Sequence, residues 1–142
     1  MNNIKPLLPL LSAALALNFI GSNLAAAEAQ TAGKPDAVIQ HVDPQQAEKL
    51  LAEKKVVVLD IRTPAEFSSG RIAGAKNIDF QAPDFEQRID RLDKSKTYLV
   101  HCASGGRSTR SLQLFKKLQF QTIYHLDGGV KAWSKAGLPL EK

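Results

Sequence analysis

The sequence predicts an α/β domain with a mainly parallel, five-stranded sheet and helices on both of its faces. Short apolar and β-branched runs alternate along the chain with amphipathic segments, which is the pattern of strand–helix–strand units. The run Val56–Leu59 contains no polar residue, as expected of a strand that is covered on both faces. Neither an internal repeat nor a second domain interrupts the alternation, so residues 37–142 are assigned to one domain.

Each element has a local signal. Strands are predicted at the apolar and β-branched runs 38–39, 56–59, 75–78, 97–100 and 122–126. Two helices begin at capping boxes, Asp43-Pro44-Gln45-Gln46 and Thr63-Pro64-Ala65-Glu66, each with proline at the first helical position. Apolar residues at helical spacing predict further helices over 85–92, 108–118 and 130–135. Gly70 and Gly137 are expected to end helices, and Trp133 is expected to face the core.

The single cysteine stands at the end of the strand 97–100 and opens a glycine-rich loop, Cys102-Ala103-Ser104-Gly105-Gly106-Arg107-Ser108. A helix is expected to follow, and its free N–H groups and positive dipole end favour a thiolate and hold an anion. The two glycines permit close approach to the backbone, Arg107 adds a permanent charge, and Ser108 can cap the helix or donate to sulfur. A cysteine that serves only as a small core residue needs none of these neighbours.

Residues 1–27 are predicted to form a signal peptide. They combine Lys5, an apolar stretch and the closing triplet Ala25-Ala26-Ala27, with cleavage expected after Ala27 or alternatively after Ala29. A retained membrane anchor is the competing interpretation, but polar residues interrupt the apolar stretch before it reaches the ~20 residues of a membrane span. The expected product is periplasmic or secreted, without a membrane anchor, and begins with a flexible lead-in over 28–36. A lone thiol in such an oxidising compartment is either intermolecular or reactive.

Charge and composition argue against a nucleic acid, a metal or a cofactor as a partner of this chain. The chain has a formal net charge of +5, and +4 without residues 1–27, which contain only one charged side chain, Lys5. Because the charges are interspersed, no nucleic-acid surface is predicted, although small anions can be attracted. Three separated histidines and one cysteine predict no metal site, and no cofactor is expected.

Four segments resemble the rhodanese family of sulfurtransferases, over about residues 38–140. They are Leu59–Phe67, Gly70–Ala75, Cys102–Ser108, and a closing segment made of Asp127–Gly129, Ala132-Trp133 and Ala136–Pro139. Arg71 departs from the pattern, since the family often has histidine there. The resemblance implies a three-layer fold and a Cys102 persulfide, formed from thiosulfate or a similar donor and passed to cyanide or a thiol. The backbone N–H groups of Ala103 to Arg107 would cradle that persulfide, and Arg107 would attract the donor anion.

Loop length separates this chemistry from that of cysteine-dependent phosphatases and arsenate reductases. Those enzymes place five residues between cysteine and arginine to surround a tetrahedral oxyanion, whereas this loop has four, Ala103 to Gly106. The smaller ring favours a single sulfur atom. A non-catalytic persulfide carrier or binding module remains an alternative, since it needs the same cysteine and cradle.

Nearby polar residues have supporting roles in this interpretation. Asp60, at the end of its strand, is expected to orient Arg62 or Arg107, or to form an ion pair that supports the fold. Glu66 is expected to act only as the capping partner of Thr63. His101 precedes the cysteine in an extended segment, so strand alternation directs it to the opposite face, where a structural role is expected.

Overall fold

The computed structural model describes residues 36–142. Within them, five strands form one sheet in the order β1-β5-β4-β2-β3, and every neighbouring pair is parallel. The strands are Val38–Val42 (β1), Val57–Asp60 (β2), Lys76–Asn77 (β3), Thr97–His101 (β4) and Thr122–Leu126 (β5). The predicted fold class is therefore confirmed. The predicted signal peptide, 1–27, and residues 28–35 of the predicted lead-in lie outside the described residues.

Among the described residues, four helices connect successive strands and a fifth follows β5. They are Pro44–Ala52 (α1), Pro64–Ser69 (α2), Phe85–Asp90 (α3), Gly106–Lys117 (α4) and Gly129–Lys135 (α5). Both predicted capping boxes are present: Asp43 accepts from the Gln46 N–H at 2.7 Å, and Thr63 accepts from the Glu66 N–H at 3.3 Å. No helix in 36–142 combines the length and apolar composition that crossing a bilayer would require.

Some predicted boundaries were wrong by a few residues. β1 continues to Val42 because it pairs along its whole length with β5, from Val38 opposite Thr122 to Val42 opposite Leu126. α4 begins at Gly106, two residues before the predicted start, because Gly105 takes a left-handed conformation with φ 101° and turns the chain into the helix.

Two apolar layers pack against the sheet. On one face, α3 and α4 contribute Phe85, Ile89 and Phe115; on the other, α1 and α5 contribute Ala47 and Trp133. Trp133 is buried as predicted, and its indole N–H donates to the Pro139 carbonyl at 2.9 Å. Since all strands run in one direction, the segments that follow β1, β2, β4 and β5 meet at one edge of the sheet, where Cys102 lies.

Candidate active site

Cys102 directly follows β4, a strand with neighbours on both sides. Only 1% of the residue is exposed, while Ser104 and Gly106 in the same loop are exposed. The Gly105 N–H donates to Sγ at 3.1 Å, and the Ser108 hydroxyl lies 3.4 Å from Sγ. The loop thus surrounds the sulfur with hydrogen-bond donors and lies at the molecular surface.

These contacts change the acidity of the thiol. Burial raises the pKa of Cys102, but hydrogen bonds from the Ser108 hydroxyl and from the Ser108, Gly105 and Ser104 N–H groups together outweigh it. The pKa of the thiol therefore lies below its ordinary value. A lowered pKa favours the thiolate, which is the nucleophilic form of cysteine.

The first turn of α5 is hydrogen-bonded to the backbone of the active loop. The Val130 N–H donates to the Cys102 carbonyl at 2.9 Å, and the Lys131 N–H donates to the Ala103 carbonyl at 3.0 Å. Gly129 has φ 59°, and a Cβ built there would lie 2.4 Å from the Cys102 carbonyl oxygen. Only glycine fits this contact, so the paired glycines at 128–129 are part of the site's scaffold.

Arg107 forms a fork-to-fork pair with Glu66, with N–O distances of 2.7 and 2.8 Å. The hydrogen bond from Arg107 is the main reason that the pKa of Glu66 falls to about 2. Glu66 also accepts from Thr63 in the capping box. The prediction that Glu66 acts only as a cap was therefore wrong, because it also fixes the arginine of the active loop. Two guanidinium nitrogens are held in this way.

Asp60 pairs with Arg62, one of the two arginines considered from sequence. The shortest contact between them is 2.6 Å, both side chains are buried, and Arg62 also donates to the Gly70 carbonyl at 2.7 Å. The pair thus joins the end of β2 to the end of α2. Arg71 contacts the Phe67 ring and Glu141, and so supports the C-terminal segment.

His101 is fully buried, and its Nδ1 lies 3.2 Å from the Cys102 carbonyl oxygen. Its Nε2 has no hydrogen-bond partner among residues 36–142 and lies 3.7 Å from an Asp60 oxygen. Burial lowers the pKa of His101, which keeps the ring neutral near neutral pH. Its contact with the backbone of the loop fits the structural role expected from sequence.

The other two histidines are far apart in the sequence but lie next to each other in the structure. His41 and His125 are opposite each other in the parallel register of β1 and β5, and both rings contact Asp127 Oδ1, at 2.8 and 2.9 Å. One ligand atom from each of these three residues lies within 4.8 Å of the others, and hydrogen bonding to the shared carboxylate accounts for this spacing. His125 Nε2 lies 2.8 Å from the Ser108 hydroxyl, which connects the group to the active loop.

A groove of about 600 Å³ lies on another part of the surface, lined by residues that include Leu51, Val57 and Trp133. No residue of the active loop lines it. Chemical environment, more than cavity size, therefore identifies Cys102 as the candidate site.

Comparisons with known proteins agree on one family. A model described as the rhodanese-like domain matches residues 43–136. A chloroplastic thiosulfate sulfurtransferase of Arabidopsis thaliana is 37% identical over 91 residues, covering 57% of this chain and 76% of that protein. A sulfurtransferase of Allochromatium vinosum is 28% identical over 104 residues, covering 72% of this chain and 95% of that protein.

The solved structure of a rhodanese-related protein from Thermoplasma volcanium has a TM-score of 0.65 and 26% identity, covering 72% of this chain and 97% of that chain. The chain spans between 22% and 95% of the length of these curated relatives. The domain therefore occurs both nearly alone and within longer proteins.

Proposed function

This chain belongs to the rhodanese-like domain family, and we propose that it is a sulfurtransferase that moves a sulfane sulfur from thiosulfate or a similar donor to cyanide or a thiol. The supporting observation is the environment of Cys102: a thiol of lowered pKa inside a ring of N–H and O–H donors. Relatives named as sulfurtransferases support the same class of reaction.

The proposed reaction has two displacement steps. The Cys102 thiolate attacks the outer sulfur of thiosulfate, an S–S bond forms at Sγ, and the original S–S bond breaks as sulfite leaves with its electron pair. The acceptor then attacks the outer sulfur of the persulfide, and Sγ takes back the bonding pair as a thiolate. Covalent catalysis of this kind replaces one difficult transfer by two easier ones.

The loop suits a persulfide better than a phosphoryl group. The Gly105 N–H already contacts Sγ at 3.1 Å, and four residues separate Cys102 from Arg107. The terminal sulfur of a persulfide carries the negative charge that such converging donors stabilise. Arg107 keeps further N–H donors beyond the two that Glu66 holds, and these are available to the sulfonate oxygens of the donor.

The experiment is to incubate the purified protein with thiosulfate and to measure its mass before and after adding cyanide or a thiol. We expect the mass of one sulfur atom to appear on Cys102 and to disappear with the acceptor. Cys102→Ser should gain nothing, while Thr109→Ala, an exposed change in the same helix turn, should behave as wild type. An adduct that survives in Cys102→Ser, or none in the wild type, would contradict the proposal.

Two alternatives give different results in the same experiment. A persulfide carrier would load one sulfur but would not turn over with small acceptors. A phosphatase would instead hydrolyse an aryl phosphate, which we expect this protein to leave intact.

We also propose that the protein is exported, on the strength of the residue pattern in 1–27. Expression of the full chain in a bacterial host should give a periplasmic product that begins at Glu28 or Gln30. A cytosolic product that retains residues 1–27 would contradict export.

A further inference from the structure

A continuous line of hydrogen bonds connects the sulfur to the protein surface. Asp127 Oδ1 lies 2.9 Å from His125 Nδ1, and His125 Nε2 lies 2.8 Å from Ser108 Oγ. Ser108 Oγ in turn lies 3.4 Å from Cys102 Sγ. His125 and Ser108 are buried, whereas the Asp127 side chain is 55% exposed. Three segments supply the line: the end of β5, the first turn of α4, and the active loop.

The protons that these groups carry determine which group donates and which accepts in each hydrogen bond. A carboxylate only accepts hydrogen bonds, so Asp127 holds the neutral His125 ring in the form that carries its proton on Nδ1. His125 Nε2 is then a bare acceptor. Ser108 has one hydroxyl proton and three acceptors in reach: His125 Nε2, the Gly105 carbonyl at 3.1 Å and Cys102 Sγ. The contact with His125 is the shortest, which leaves a lone pair of Ser108 Oγ free to accept the thiol proton.

We propose that His125 takes the proton of the Cys102 thiol through Ser108. The S–H bond breaks as Ser108 Oγ gains that proton, and the original Ser108 O–H bond breaks as His125 Nε2 gains its proton. The products are a thiolate and an imidazolium, so the net charge does not change. Ser108, now accepting from His125, donates its proton to the thiolate. His125 and Asp127 are positioning residues in this scheme, since Ser108 is the one of these three side chains that touches the reacting sulfur.

The surrounding charges are compatible with a base at this position. Asp127 stabilises a protonated His125, while His41, with its Nδ1 3.2 Å from that of His125, opposes it. His101 is kept neutral by burial, and at the sulfur Arg107 is paired with Glu66. Burial is the main cause that lowers the pKa of His125, so the ring is neutral and able to accept a proton at neutral pH.

The test is the rate at which iodoacetamide alkylates Cys102 as a function of pH, with a chelator present. Since the chain has one cysteine, the rate reports this thiol alone. Thiolate and imidazolium titrate as a coupled pair, so the wild-type profile should show two steps. Ser108→Ala and His125→Gln each remove the relay. In both variants the apparent pKa of the thiol should rise, and alkylation at pH 7 should slow about tenfold because a smaller fraction of Cys102 is thiolate.

Two further variants test the relay, one at an exposed position and one that keeps the buried hydroxyl group. Asp127→Asn changes an exposed side chain and should slow alkylation at pH 7 about threefold, because the imidazolium loses its counter-charge. Ser108→Thr keeps the hydroxyl and should restore the two-step profile. Thr109→Ala, the neighbouring exposed change, should match the wild type.

A wild-type profile in both His125→Gln and Asp127→Asn would overturn the proposal, since Ser108 would then act without a base behind it. So would equal profiles for Ser108→Ala and Ser108→Thr. The inference rests on the proposed role of the Cys102 thiolate, but the alkylation assay needs no sulfur donor. A protein with the expected pH profiles and no sulfur transfer would contradict only the proposed function.

Discussion

The substitution Gly129→Ala should damage both the stability and the chemistry of the protein, because the start of α5 packs directly on the active loop. The added Cβ would lie 2.4 Å from the Cys102 carbonyl oxygen and 2.8 Å from the Ala103 carbonyl carbon and oxygen. All three are backbone atoms, so no side chain can turn aside. The left-handed backbone at φ 59° adds strain of about 1–2 kcal/mol for a residue with a Cβ. Overpacking adds about 1–3 kcal/mol, for an expected loss of about 2–5 kcal/mol in the free energy of unfolding.

Urea denaturation measures this loss, and Gly137→Ala is the matched control. Gly137 has φ 76°, but a Cβ there would meet nothing within 4 Å, so only the backbone strain of about 1–2 kcal/mol applies. We also expect Gly129→Ala to slow sulfur loading from thiosulfate, because the shifted loop misplaces the donors around Sγ, while Gly137→Ala loads at the wild-type rate. Equal stability losses in the two variants, or normal loading in a destabilised Gly129→Ala, would refute the packing argument.

Three further predictions concern the charged groups. Asp60→Asn leaves the Arg62 guanidinium buried without its carboxylate, so urea unfolding should show a loss of about 3–5 kcal/mol; a loss below about 1 kcal/mol would contradict the argument. The folded pKa of Glu66, about 2, lies below its ordinary value of 4.5, so its contribution is present above pH 4.5 and disappears as the pH falls toward 2. Glu66→Gln should therefore lower the free energy of unfolding by about 1–2 kcal/mol at neutral pH, after allowance for solvent screening, and this difference from the wild type should shrink in acid. A difference that stays constant with pH would argue against the pairing of Glu66 with Arg107. Arg107→Gln should lower kcat/KM for thiosulfate about 10- to 100-fold, as expected for a lost charged hydrogen bond, whereas Arg110→Gln, an exposed change in the same helix, should not; equal losses would show that Arg107 has no specific role.

Local signals explain why so much of the fold was predictable. The capping boxes at Asp43 and Thr63 each lie within four residues, and both predicted helices begin where those signals place them. The position of Cys102 between β4 and α4 likewise follows from adjacent residues. Short-range chemistry of this kind is readable without knowledge of the tertiary structure.

Two of the missed contacts are long-range. Arg107 and Glu66 are 41 residues apart, and His41 and His125 are 84 apart. Neither pair has a local pattern, because parallel register and helix packing decide which side chains meet. The single clue to the second pair was the occurrence of both histidines near strand ends, which in a parallel sheet lie at the same edge.

The order of the strands has a consequence for how the nucleophile first appears. Parallel pairing cannot form through hairpins, and β1 must find β5 across most of the domain before His41, His125 and Asp127 come together. Until β5 and α5 are in place, Cys102 lacks the hydrogen bonds that hold its loop and the proposed base, so it behaves as an ordinary thiol. Its lowered pKa therefore arises late in folding, and an incompletely folded chain carries a cysteine with the acidity of an ordinary thiol.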